Sequence, residues 1–223
     1  AGSAGDQDMG SDAHQGDSTI SYDGPMKPLV LVVLVALAGC AGGGKAPSAA
    51  APQDAFLTDL AALCGKAFEG RIAAKVGGGA GPDPFEGKTL TMHVRECAPG
   101  VVRVPFQVGD DRSRTWVFTR TAAGLRLKHD HRHKDGSPDD MNLYGGDTDG
   151  PGTAGKQAFP ADQASKDMFV KGGIPQSAAN VWVVGLVPGK TFSYALTRPG
   201  REFRVEFDLT RPVDAPPPPW GAP

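Results

Sequence analysis

The chain has 223 residues, of which 51 are Gly or Pro and 16 are aromatic, and its formal net charge is −2. Gly and Pro at about twice their average usage argue against long helices and coiled coils, and for short strands joined by many turns. With this near-neutral balance no polybasic surface for nucleic acid stands out, and the length sets one domain as the expectation.

Residues 1–25 carry five Asp (6, 8, 12, 17 and 23) and no Lys or Arg, and read as an acidic extension ahead of a start at Met26. From Met26-Lys27 the pattern changes to an apolar run, Leu29 to Ala38, closed by Leu37-Ala38-Gly39-Cys40. The run is far shorter than the roughly 20 residues of a membrane span. With its small residues before Cys40, it reads as a secretory signal over 26–39. Leu-Ala-Gly-Cys resembles the lipobox of bacterial lipoproteins. That resemblance implies a diacylglycerol on the Cys40 thiol, cleavage before Cys40 and acylation of the new amino group. With Ala41 rather than Asp following, it also implies an outer-membrane address facing the periplasm. Acyl chains contribute roughly 0.8 kcal/mol per buried CH₂, so the expected contact with the membrane is the lipid anchor alone. Without residues 1–39 the chain holds 22 basic and 20 acidic residues.

Residues 40–53 are rich in Gly, Pro and Ala, as a tether should be. The expected β-rich domain spans 54–211. It opens with a helix that Asp54 would cap, with Phe56, Leu60 and Leu63 at helical spacing before Gly65. Gly65-Lys66-Ala67-Phe68-Glu69-Gly70 resembles the opening of lipocalin and fatty-acid-binding-like barrels. That family carries Gly-x-Trp near its first strand, and here Phe68 replaces the Trp one residue later. The resemblance implies a barrel with a ligand inside.

Strands are expected from Glu69 to Val76 and from Thr89 to Arg95, where Leu90, Met92 and Val94 share one face. The next holds Val102, Val104, Phe106 and Val108, with Arg103 and Gln107 outward; Arg114 to Arg120 and Leu125 to His133 follow. Once Cys40 is lipidated, Cys64 and Cys97 remain as an even pair in an oxidising compartment. A disulfide between them would contribute roughly 3–4 kcal/mol; two buried free thiols are the alternative.

A second short helix is expected from Ala161 to Lys171, with Ala164, Met168 and Phe169 on one side and Gly172-Gly173 ending it. Three strands follow, Val181 to Val187, Thr191 to Thr197 and Arg201 to Leu209. Pro188-Gly189 and Pro199-Gly200 separate them, dipeptides suited to type II turns, and Pro99-Gly100 does the same earlier. Residues 212–223, with four consecutive Pro, read as an extended arm outside any sheet. The expected class is therefore mainly β: eight to ten antiparallel strands forming a meandering barrel or a sandwich, with two helices.

The conspicuous chemistry is Lys128-His129-Asp130-His131-Arg132-His133. On a regular strand the three His share the side of Leu125 and Leu127, so the row points inward. As ligand-contacting residues, His129, His131 and His133 would sit at a barrel mouth. As metal ligands, His129 and His131 would converge on a transition metal such as zinc. The third reading is structural: hydrogen-bonded interior imidazoles, or a bulge at Asp130 that turns them outward. Asp147-Thr148-Asp149-Gly150 lacks the Glu that a calcium loop needs at its twelfth position. Arg112, Arg114 and Arg120 around Trp116 and Phe118 are an anion- or glycan-binding possibility beside the commoner paired or solvated one. No nucleophile, metalloprotease, P-loop or dinucleotide motif is present.

The expected function is a lipid-anchored envelope protein whose domain binds a small ligand or metal without catalysis. The alternatives are a zinc-dependent hydrolase assisted by Asp130 or Asp135, and a structural lipoprotein without a ligand.

Overall fold

The computed structural model describes residues 51–78 and 84–222. The acidic extension, the signal segment, Cys40 and the tether up to residue 50 lie outside these residues. Helix α1 (Pro52–Ala61) begins on Pro, whose missing N–H would have no helical partner there anyway. Asp54 does not cap it: the preceding residue is Ala51, and the Asp54 carboxylate instead pairs with the Arg120 guanidinium. Phe56 and Leu60 are fully buried, as their spacing requires.

Eleven strands follow: β1 (Ala67–Val76), β2 (Leu90–His93), β3 (Glu96–Ala98), β4 (Val101–Val108), β5 (Asp111–Thr121), β6 (Gly124–His131), β7 (Tyr144–Asp147), β8 (Lys156–Pro160), β9 (Val181–Val187), β10 (Thr191–Arg198) and β11 (Arg201–Val213). Helix α2 (Gln163–Lys171) and a 3-10 turn (Pro175–Ala179) lie between β8 and β9. Ten strands form one antiparallel path, β7-β6-β5-β4-β2-β1-β11-β10-β9-β8, with β3 paired to β4 beside it. Of the two expected architectures the barrel is found. It is a meander in which the first and last strands pair, β1 with β11, and which is nearly closed where β7 meets β8.

That seam explains a short element the sequence pattern did not reveal. Strand β7 is Tyr-Gly-Gly-Asp, and a Cβ on Gly146 would overlap the Pro160 carbonyl oxygen. Gly145 has a φ of +146°, outside the usual range for L side chains. The glycines let the end of β8 and the start of α2 approach. The Asp162 N–H donates to the Gly145 carbonyl at 2.8 Å, and Ser165 Oγ bridges the Gly145 N–H and C=O at 2.8 and 2.9 Å. Asp162 caps α2 through Ser165 N–H and receives Lys128 Nζ across the seam at 2.5 Å. The buried positions of α2 are therefore Ser165 and Phe169, while Ala164 is exposed. Of the expected face, Phe169 is buried and Met168 half-buried, and the correction is at Ala164, whose place is taken by Ser165, which stitches the seam.

The interior is filled with rings. Trp116 lies between Phe106 and Tyr194, at 4.8 and 4.2 Å between centroids, with Phe192 at 6.0 Å and Phe207 at 6.3 Å. Such contacts add roughly 0.5–1.5 kcal/mol per pair beyond burial. The three Pro-Gly turns form as read, with φ of +76°, +67° and +72° at Gly100, Gly189 and Gly200. Cys64 and Cys97 are joined by a disulfide that ties the end of the α1 turn to β3.

The C-terminal segment is not a free arm. Strand β11 runs on through Pro212, opposite Phe68 beyond a bulge. The following prolines cross the outside of β4 and β5. Gln107 Nε2 donates to the Pro217 carbonyl at 2.6 Å, Arg112 Nη1 to that of Pro218 at 3.0 Å, and the Trp220 N–H to that of Arg112 at 3.1 Å. Extended Pro segments keep their carbonyls free to accept such bonds. This cover accompanies the burial of Gln107, Thr115 and Asp130, all on the outward face.

Candidate functional site

The two barrel mouths receive different covers. Helix α1 fills one, lodging Phe56 against Phe118. The other receives the end of β6, the starts of β7 and β9 and the end of β10, and lies beside α2 and the 3-10 turn. There the packing leaves a cavity of about 450 Å³. Its apolar wall is Met141, Tyr144, Phe169, Ile174, Trp182 and Leu196, and its polar rim is His131, Asp139, Asp140, Ser177 and Asn180. The size lies within the usual range of small-molecule sites, and so does the mixture of apolar wall and sparse polar groups.

The inward row of β6 is observed for two of the three predicted histidines. His129 is buried, stacked on Tyr144 at 4.6 Å and close to Trp182 at 4.9 Å. One ring nitrogen, Nδ1, lies 3.1 Å from the Tyr144 carbonyl, and the other, Nε2, lies 2.6 Å from the Tyr194 hydroxyl. A carbonyl can only accept, so Nδ1 carries the proton and Nε2 accepts from Tyr194 O–H. Burial pushes the His129 pKa down to about 3, with the Tyr144 carbonyl opposing and the charges of His131 and Lys128 assisting. The imidazole is thus neutral and fully engaged, beneath the cavity rather than in it. Burial likewise raises Tyr144 to about 12 and Tyr194 well above the ordinary tyrosine value.

His131 does line the cavity. Burial, then the Arg114 charge, lower its pKa, against the pull of Asp139. Its Nδ1 lies 3.9 Å from Asp139 Oδ2. His133 falls beyond the end of β6 and is exposed, although its Nδ1 lies 4.0 Å from the same carboxylate oxygen. The row therefore splits by depth: His129 structural, His131 at the cavity, His133 outside.

This arrangement does not suit the metal reading of His129 and His131. Both nitrogens of His129 already have partners, and no group of three or more His, Cys, Asp or Glu among the described residues is placed to hold a metal ion. Asp130 and Asp135 are not poised as acid or base partners of the cavity. Asp130 is buried on the outer face between Arg103 and Arg132, at 2.7 and 3.0 Å. Asp135 accepts from the Ser137 N–H and hydroxyl in a turn, and these bonds hold its pKa below the usual carboxylate value.

The other motifs resolve into structure. Trp116 and Phe118 point inward, away from Arg112. Arg114 pairs with Asp111 at 2.5 Å, and Arg120 holds Asp54 together with the Thr121 and Gly124 carbonyls. Asp147 is clamped by Arg126 at 2.6 and 2.9 Å, and Thr148 Oγ1 accepts from the Leu125 N–H. Tyr144, Phe169, Trp182, Leu196 and Asp139 are among the cavity residues that sequence reasoning did not select for the site. For Trp182 and Leu196 a signal existed, since they are register partners near the ends of two strands. Comparison with protein-family models, with curated proteins and with solved structures finds no match to this chain.

Proposed function

We propose that this chain is a bacterial envelope lipoprotein, anchored through acylated Cys40, whose barrel binds a small, largely apolar molecule at one mouth without catalysing a reaction on it. The observation that carries the binding reading is the cavity of about 450 Å³ walled by Tyr144, Phe169, Trp182 and Leu196. The ligand does not enter the barrel centre, which aromatic side chains occupy; it sits above Trp182 and beside α2. His131 supplies a neutral imidazole and Asp139 a carboxylate at the rim. The lipobox resemblance supports the anchor and the outer-membrane address facing the periplasm.

A titration with phenylbutanol followed by NMR tests the binding. Saturable shifts are expected at the Trp182 indole N–H and at the side chains of Ile174 and Leu196, and Leu196→Trp should abolish them by filling the space. Absence of saturable shifts, or shifts scattered over the surface, overturns the reading. Palmitate labelling tests the anchor: incorporation should vanish in Cys40→Ser, and persistence would refute it.

The filled barrel interior favours a second reading, a structural lipoprotein without a ligand. A folded protein whose cavity resonances stay fixed in the titration would select it.

A further inference from the structure

We propose that the ligand of the mouth cavity is an organic cation, an amine or quaternary ammonium carried on an apolar body. This deepens the preceding reading and rests on it. Three aromatic side chains meet in the wall. The Tyr144 ring lies 5.5 Å from that of Phe169 and 5.7 Å from that of Trp182. An ammonium within about 6 Å of such rings is attracted by their negative π faces, most strongly for Trp, and quaternary ammonium groups are recognised in this way.

The rim adds charge of the complementary sign. Asp139 and Asp140 line the cavity, and among the described residues no Lys or Arg does. One Asp139 oxygen, Oδ1, accepts from the Met141 N–H at 2.8 Å and fixes the carboxylate. Among the described residues the other, Oδ2, has the two imidazoles at 3.9 and 4.0 Å, beyond hydrogen-bond reach. It is therefore open to a charge-assisted bond from an ammonium N–H, or to close approach of a quaternary nitrogen.

The positive groups nearby are committed elsewhere. Arg114 holds Asp111 and lies over the Phe85 ring, and Arg198 donates to Ser177 Oγ and Asn180 Oδ1 at 3.2 and 3.0 Å. An anionic ligand would face two carboxylates and, among the described residues, no Lys or Arg in the lining. The cavity of about 450 Å³ falls within the range of small-molecule sites.

The test uses the full chain carrying Cys40→Ser and three probes with a common body: phenylbutyl-trimethylammonium, phenylbutanol and phenylbutyl sulfate. Affinities are read from the Trp182 indole resonance. The cation is expected to bind about tenfold more tightly than the alcohol, and the sulfate more weakly than either. Asp139→Asn, which keeps the Oδ1 acceptor for Met141, should remove most of the cation's advantage over the alcohol. Asp140→Asn, at an exposed position, should remove a smaller part without any risk to folding. Equal affinities, or tighter binding of the sulfate, would overturn the cation proposal while leaving the cavity as a ligand site. If none of the three binds, the ligand-site reading fails as well.

Discussion

The two mouths of the barrel are built from similar strand ends yet end up chemically opposite. The inward row of β5 reads Arg114-Trp116-Phe118-Arg120, with an arginine at each rim and rings between. At the α1 mouth, Arg120 is drawn onto Asp54, and Phe56 and Leu60 enter the barrel beneath it. Gln53 adds a bond to the Gly150 carbonyl at 3.1 Å, fixing the plug to the loop after β7. At the other mouth Arg114 turns to Asp111 within its own strand, and the cover, α2 with its 3-10 turn, is anchored to the seam rather than inserted. The strands do not choose which end carries a site. The choice lies in whether the covering element sends apolar side chains down the axis or stands beside it.

Truncations should separate the two ends most sharply. Phe56→Ala removes a fully buried ring from the plugged mouth and is expected to cost about 3–5 kcal/mol. Leu196→Ala borders space that already exists, so the cost should be about 1–2 kcal/mol. Urea unfolding measures both. Equal losses would mean that the second mouth is packed as tightly as the first, and the contrast would fail.

Acid should expose the layer between the core and the open mouth. His129 is neutral in the fold, with a pKa near 3, and reverts to the ordinary value of 6.5 when unfolded. The unfolded chain therefore binds the extra proton. The stability this group contributes is complete above pH 6.5 and is lost as pH falls toward 3, at about 1.4 kcal/mol per unit. His131 and His93, also lowered mainly by burial, add to the loss in the same direction. Asp111, Asp147 and Asp162, held below their usual values, begin to contribute only near and below pH 4. His129→Gln keeps a donor and an acceptor without the titration. Its unfolding free energy should fall less steeply between pH 6 and pH 4, by roughly 1.4 kcal/mol per unit. Parallel slopes in the two proteins would mean that water reaches the imidazole.

Sequence patterns revealed the elements whose patterning is local. The alternation in β4, β6 and β11 and the Pro-Gly turns carry their structure within a few residues. The inward direction of His129 was legible for the same reason, by parity from Leu125 and Leu127. Its role was not, because both of its partners lie on other strands, Tyr144 on β7 and Tyr194 on β10. Strand β7 escaped notice because two of its four residues are Gly, chosen for close approach at the seam rather than for strand propensity. The cavity was illegible for a related reason. Its wall is assembled from Tyr144 on β7, Phe169 on α2, Trp182 on β9 and Leu196 on β10, segments far apart in the chain, so no local pattern marks it. A run of prolines carries no pattern that predicts docking, since its carbonyls become informative only when Gln107 and Arg112 are seen beneath them.

The smallest expected effect links the outer wall to the open mouth. Trp220 borders, with Arg103, Asp130 and Arg132, a small hollow on the outer wall, and Gly221 sits against Gly136 in the turn that follows β6. That turn leads directly to Asp139, so the tail braces the segment that presents the rim carboxylate. Trp220→Ala leaves the backbone bond to Arg112 in place and should cost about 1 kcal/mol or less, since the residue is only partly buried. Its signature is positional rather than energetic. Amide resonances of Gly136, Ser137 and Asp139 should shift, while those around Phe56 at the plugged mouth stay fixed. Shifts confined to Arg103 and Asp130 would make the tail a cover for the outer wall alone. Shifts that reach Asp139 would make it a brace for one mouth and not the other, so that the asymmetry between the two ends includes the segment that follows β11.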